Sequence, residues 1–355
     1  MHPAVDYLLV SGVLSFVLVD LFVVAGPLGV TASHLGGVVL FANSAHFAAS
    51  TVRLYTKPDA RATLPFLTLG FPLVALVVAT GAIAMGEPLG RYLFALYIFW
   101  SPYHYAAQTY GLAAMYAYRS GVALGSGPRR WLRWGCLTVF LWTLLQPDGG
   151  LSFVVPAARL SEATTLNHAR EGLSALLWLA SLAAPIVTFT WLRLRHRTTL
   201  PLMCPLLMVT NVGWFVLFPF LKAFFWATVF HAVQYLTVVM IFHVRDRTAG
   251  PGNRHGPLWH ATTFYGACLL LGYALFELWP RAYTLAGFDA LRSVTLVTAA
   301  INIHHFVVDA FIWRLRRNPA AALAVAPALP LAGVQTMPFL PSAASSSRVS
   351  PSRPQ

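Results

Sequence analysis

Asn302-Ile303-His304-His305-Phe306-Val307-Val308-Asp309-Ala310-Phe311-Ile312-Trp313-Arg314 is the stretch that decides how this chain is read. It closes the last apolar segment, where two imidazoles and a carboxylate stand among Ile, Phe, Val and Ala. Wound as a helix, Asn302, His305, Asp309 and Trp313 fall at i, i+3, i+7 and i+11, and so share one face. His305 and Asp309 are i, i+4 neighbours. At that spacing a carboxylate accepts a proton from one ring nitrogen and turns the other toward a metal or a substrate. In lipid such a face cannot look at acyl chains; it must look at a partner helix, a cavity or a cofactor.

Composition puts the stretch in a membrane. The 355 residues are 57% hydrophobic and only 10% charged, against about 25% charged in a soluble domain. The expected fold is all-α: a polytopic transmembrane bundle of about ten helices over residues 1–317, with residues 318–355 as a disordered cytoplasmic tail rich in Ala, Pro and Ser. The net charge of +13 comes from arginines lying between apolar segments, which encodes topology and does not point to nucleic acid. Cys136, Cys204 and Cys268 form no CxxC and no framework, and read as reduced core residues. The N-terminus has no positive n-region, so its first apolar run is expected to be an uncleaved helix.

A spanning helix needs about 20 predominantly apolar residues. On that basis the spans run from Tyr7 to Val30, Ser33 to Tyr55, Leu64 to Met85, Arg91 to Arg119, Trp131 to Gln146, Leu173 to Leu192, Pro201 to Phe218, Ala223 to Val244, Leu258 to Trp279 and Leu291 to Trp313. A long loop from Pro147 to Gly172 separates the fifth from the sixth. Most of the 24 basic residues follow even-numbered segments: Arg53, Lys57 and Arg61; Arg119, Arg129, Arg130 and Arg133; Arg193, Arg195 and Arg197; Arg245, Arg247 and Arg254; and those of the tail. Every second connection being basic, the positive-inside rule puts both termini in the cytoplasm, as in a bacterial inner-membrane protein.

Twelve histidines are present, and depth sorts them. His46, His104, His231 and the pair His304/His305 lie well inside apolar segments, all on the second, fourth, eighth and tenth. These segments run in one direction under the expected topology, with their imidazoles about 8 to 14 residues from the outer end, roughly 12 to 21 Å deep at 1.5 Å per residue. One buried histidine is more often an interhelical hydrogen-bonding group than a ligand, but four at one depth exceed what packing needs. Each has polar company on its own face: Asn43 before His46, Gln108 after His104, Tyr235 after His231, and Asn302 and Asp309 around His305. The pattern Asn-x-x-His-Phe occurs twice, at Asn43–Phe47 and Asn302–Phe306, which favours His305 over His304 as the inward member. The expected metal ligands are His46, His104, His231 and His305, with Asn43, Gln108, Tyr235, Asn302, His304 and Asp309 around them.

Imidazole suits iron, copper and zinc. Such a layer fits non-haem iron, or the axial ligands of haem b, which needs only two histidines on facing helices. The absence of HxxxH and HxxHH speaks against a desaturase-type di-iron site, and that of CxxCH against covalent haem. No Gly-rich phosphate loop points to ATP.

Ser44-Ala45-His46-Phe47 and the run from Pro219 to Leu236, ending Phe230-His231-Ala232-Val233-Gln234-Tyr235, resemble segments of the Brp/Blh-type membrane beta-carotene dioxygenases. The resemblance covers these two segments. That family's early Pro-His-Gly motif is absent, and its second histidine, four residues beyond the one matching His231, is Tyr235 here. What the resemblance implies is an iron-dependent oxygenase, its metal held by histidines of separate helices, acting on a lipid-soluble, isoprenoid-like substrate. The other readings the residues allow are a haem b protein passing electrons to or from quinone, a proton-coupled transporter using the histidines and Asp309 as a relay, and an assembly factor without chemistry.

Overall fold

The computed structural model describes residues 3–19, 37–57, 60–146, 149, 164–216 and 220–312. Its regular structure is helical throughout, with no strand among the described residues. The main helices are α1 (Val13–Val19), α2 (Ala45–Tyr55), α3 (Phe71–Met85), α4 (Leu89–Arg119), α5 (Ser126–Leu144), α6 (Thr164–His196), α7 (Met203–Val216), α8 (Phe220–Thr248), α9 (Pro257–Tyr273) and α10 (Ala290–Ile312). Wide π-helical turns run directly into α2 and α3, at Val39–Ser44 and Phe66–Gly70. A third, Ala274–Leu278, links α9 to a further short helix, Trp279–Leu285.

Five stretches are long and apolar enough to cross a membrane: Phe66–Met85, Thr165–His196, Ala223–Thr248, Pro257–Leu285 and Ala290–Ile312. Helix α7 is apolar but shorter, at 14 residues. Helix α4 has ample length, at 31 residues, but is not among the five, because Tyr, His, Gln and Ser dilute its hydropathy. The apolar windows of α8 and α10 are 61% buried, those of the α6 and α9 stretches only 22% and 17%. So α8 and α10 form the inside of the bundle. Leu176, Leu179 and Ile186 on α6, and Leu270 on α9, stand exposed as lipid-facing side chains must.

Local sequence sets the helix ends. Gly86 takes φ 71°, which only glycine adopts without strain, and stops α3. Pro257 at the first turn of α9 lacks only an N–H that would have no helical partner. The loop expected from Pro147 to Gly172 is shorter than that: α6 begins at Thr164, so His168 and Arg170 ride on a helix. Asn167 donates to Glu171 (3.0 Å) and Arg170 to the carbonyl of Leu145 (2.7 Å), docking this polar turn on the end of α5. Hydropathy alone reads such a turn as loop. Helix α5 likewise starts at Ser126, earlier than Trp131, so Arg129 and Arg130 are helical. Trp313, the tail and most of the 147–163 connection lie outside the described residues.

The packing order positions the histidine-bearing helices. Helix α10 packs on α4, α3 and α2, and α8 packs on α9, α7 and α2, so α2 is shared between them. The α5–α6 pair lies beyond α4. Arg53 at the end of α2 pairs with Asp246 at the end of α8, and Arg247 donates to the Thr56 carbonyl (3.1 Å), which ties the two C-terminal ends together. The three cysteines are buried thiols without disulfides, as expected.

Gly272 on α9 shows how closely α2 is held. A Cβ there would stand 2.8 Å from the carbonyl carbon and oxygen of Ser44 and 3.1 Å from the nitrogen of Ala45. The obstacle is backbone, which cannot swing aside as a side-chain tip can. Gly272→Ala is expected to push the start of α2 outward and lower stability by about 1–3 kcal/mol, in the range of overpacked cores. Thermal unfolding in detergent checks this, and an unchanged melting temperature would show the contact to be slack.

Candidate metal centre

Each cluster histidine is delivered by a different helix. His46 is the second residue of α2, just after the π-helical turn 39–44, and His231 lies mid-way along α8. His305 sits in the C-terminal half of α10. His104 follows Pro102, which lacks the N–H that would bond to the carbonyl of residue 98 and so loosens α4 beside the imidazole. Next to it the Ser101 hydroxyl donates to the Tyr97 carbonyl (2.7 Å), a back-bond that also bends a helix.

The four rings close into a cycle. Ring centroids stand 4.9 Å apart for His46 and His231, 5.0 Å for His231 and His104, 5.1 Å for His104 and His305, and 4.4 Å for His305 and His46. Every pair meets edge-on, at 73° to 86°. One ligand atom from each of the four lies within 4.8 Å of the others, so this cluster could hold a metal ion. His46, His231 and His305 are wholly buried, and the His104 side chain is 11% exposed.

The hydrogen bonding is unusual for a packed core. Both ring nitrogens of His46 and of His231, and the Nε2 atoms of His104 and His305, are buried with no hydrogen-bond partner among the described residues. A buried polar atom left unsatisfied costs about 1–3 kcal/mol, and the four rings carry six such atoms. The other nitrogen of His305 is fixed: Nδ1 lies 3.0 Å from the Ser50 hydroxyl. That hydroxyl donates to the Phe47 carbonyl (3.1 Å), so the oxygen must accept from His305. The proton therefore sits on Nδ1, and Nε2 presents its lone pair.

Asp309 stands beside that lone pair. Its Oδ2 lies 3.4 Å from Nε2 of His305 and 3.8 Å from Nε2 of His104. Its Oδ1 accepts a hydrogen bond from the Tyr235 hydroxyl. The expected geometry had the carboxylate behind the ring, holding the nitrogen that faces away. The structure corrects this: Ser50 holds the far nitrogen, and Asp309 shares the side of the near one. The His305 lone pair and a carboxylate at this range, out of water, repel one another unless a cation or a proton lies between them.

The other expected neighbours divide. Tyr235 belongs to the site through Asp309 and through its ring, 4.7 Å from His46 and 5.3 Å from His305. Gln108 does not orient His104: its amide nitrogen donates to Gln234 Oε1 (2.7 Å), and Gln234 Nε2 donates to the Val10 carbonyl (2.6 Å). His304 is not a supporting group of the cluster either, since it points to α3 and stacks on Phe71 (5.2 Å, 13°). Asn302 donates to the Thr298 carbonyl (2.8 Å), and the amide oxygens of Asn43 and Asn302 are buried without a donor among the described residues. The Phe of each Asn-x-x-His-Phe string walls the cluster: Phe47 lies 5.0 Å from His305, and Phe306 lies 4.6 Å from His104. Tyr105, whose hydroxyl bonds to Thr228 (2.7 Å), covers His231 at 4.4 Å.

Ser50 was missed by reading the sequence. Its signal was present, since it stands four residues after His46 and shares that helical face. No protein-family model, curated protein or solved structure matches this chain.

Proposed function

We propose that the chain is an inner-membrane oxidoreductase that holds one non-haem iron ion on His46, His104, His231 and His305 and oxidises a lipid-soluble, isoprenoid-like substrate. The observation that carries the reading is the closed cycle of four imidazoles with six unpartnered nitrogens. A core built for packing has no use for so many orphaned acceptors and donors. Iron, copper and zinc all accept imidazole; iron is preferred because an intramembrane site lined by Phe47, Phe306, Tyr105 and Tyr235 suits redox chemistry on an apolar molecule. The resemblance of the His46 and His231 segments to the Brp/Blh-type enzymes points the same way. Rings in edge contact at 4.4 to 5.1 Å leave no slab for a macrocycle between them, which favours a bare ion over haem b.

Bound iron would supply dioxygen activation. The chain's own groups do the rest. Ser50 fixes the tautomer of His305, Tyr235 holds Asp309 by one oxygen, and the other oxygen balances positive charge beside His104 and His305. The aromatic walls exclude water and leave the bilayer as the source of substrate. In this reading the apolar segments make ten spans with both termini cytoplasmic. The Arg53–Asp246 pair and the bond from Tyr116 to Asp6 (2.7 Å) support it by gathering the ends of α2, α4 and α8 and the N-terminal turn on one face.

Metal analysis of protein purified without chelator tests the proposal: about one equivalent of iron is expected, and less than a tenth of an equivalent of any transition metal would overturn it. A second reading rests on the Asp309–His305 contact. A proton in place of the ion would also relieve it, and would make the cluster a relay in proton-coupled transport. Metal-free protein showing proton-dependent uptake of a solute would decide for that reading.

A further inference from the structure

Away from the histidines, α4 and α5 line a half-open cavity of about 540 Å³. Its basic end is formed by Arg129, Arg130 and Arg133 in the first turns of α5, and its apolar end by Phe140 and Leu141 further along the same helix, with Tyr103 of α4 also lining it. Arg133 donates to the Tyr103 hydroxyl (3.4 Å), so a phenol O–H is left facing the same space. None of the three arginines has an acidic partner among the described residues, and no acidic residue lines the cavity. Trp134, 55% exposed, stands at its rim where a tryptophan at a membrane interface belongs.

We infer that this cavity is a binding site for one anionic phospholipid of the leaflet on the arginine side. The charge pattern demands an anion. Three guanidiniums offer paired N–H groups, the geometry that suits phosphate oxygens. The apolar depth rules out a free anion as the best occupant, because inorganic phosphate would leave Phe140 and Leu141 against empty space. From Arg133 to Leu141 the helix rises about 12 Å at 1.5 Å per residue, which accommodates a phosphoglycerol headgroup and the first carbons of its chains. The remaining chain length lies in the bilayer beside α5. Basic pockets between spanning helices take anionic headgroups by this combination of charge and slot. The lipid would bridge α4, which carries His104, to the outer α5–α6 pair, and the inference is independent of what the histidines hold.

Native mass spectrometry of the detergent-purified full chain, titrated with phosphatidylglycerol, phosphatidylcholine or inorganic phosphate, provides the test. One phosphatidylglycerol is expected to bind at least tenfold more tightly than phosphatidylcholine, and phosphate alone is expected not to compete at equal concentration. The triple variant R129Q/R130Q/R133Q should lose that preference, while R193Q/R195Q, with two exposed arginines of α6 removed, should keep it. Leu141→Trp, which fills the slot and leaves every charge in place, should also displace the lipid. Equal binding of the two lipids, displacement by phosphate, or a triple variant that binds as the wild type does would each overturn the assignment.

Discussion

His231→Leu is expected to abolish the metal-dependent part of the protein's stability and leave the remainder intact. Both nitrogens of His231 are buried without a hydrogen-bond partner among the described residues. Without an ion the imidazole is therefore a burden of about 1–3 kcal/mol per unsatisfied atom, and a leucine of comparable volume is neutral or better there. With an ion at a thousandfold excess over its dissociation constant, the wild type gains about 4 kcal/mol, and the variant gains little. Thermal unfolding in detergent, with and without a strong chelator, separates the two. The wild-type melting temperature should fall on chelation and that of His231→Leu should not move. A chelator effect of the same size in both proteins, or in neither, would remove the metal reading.

The second large effect belongs to Asp309→Asn. The amide keeps the shape of the carboxylate and an oxygen for the Tyr235 hydroxyl to reach, so only the charge changes. Groups that support a metal ligand typically contribute 10–100-fold in affinity, and Asp309 is closer than that, with Oδ2 at 3.4 Å and 3.8 Å from two ligand nitrogens. Metal affinity, measured by competition against a chelator of known strength, should fall by at least tenfold. Tyr235→Phe should show a smaller loss, because it frees one carboxylate oxygen without removing the charge. An Asp309→Asn affinity within threefold of the wild type would place the carboxylate outside the ion's field.

Depth in an apolar segment made His46, His104, His231 and His305 stand out, because polar side chains inside such segments must meet one another. The echo of Asn-x-x-His-Phe separated His305 from His304 for the same reason: residues one apart on a helix point about 100° away from each other. What could not be read was rotation and register between helices. Gln108 shares a face with His104, yet α8 brings Gln234 to it first. Asp309 is spaced to serve His305 from behind, yet Ser50 of α2 already occupies that nitrogen. Such assignments depend on how two helices turn against each other, which no single segment contains. Helix ends escaped in the same way, since Thr164–Gly172 is polar enough to pass for loop and is helical because Arg170 docks on α5.

Spreading one imidazole to each of α2, α4, α8 and α10 has a consequence for biosynthesis. His46 leaves the ribosome early and His305 last, 259 residues later. At about 5–20 residues per second that is an interval of roughly 13–50 s. Only in its last part, the 74 residues from His231 to His305, or about 4–15 s, are three histidines made with no fourth to complete the ring. Until α10 arrives, the nascent bundle presents an open, half-made chelating surface to whatever ion comes by. If the cluster holds metal as proposed, α10 acts as a closing latch, and metal selection is expected to fall in the interval before it shuts.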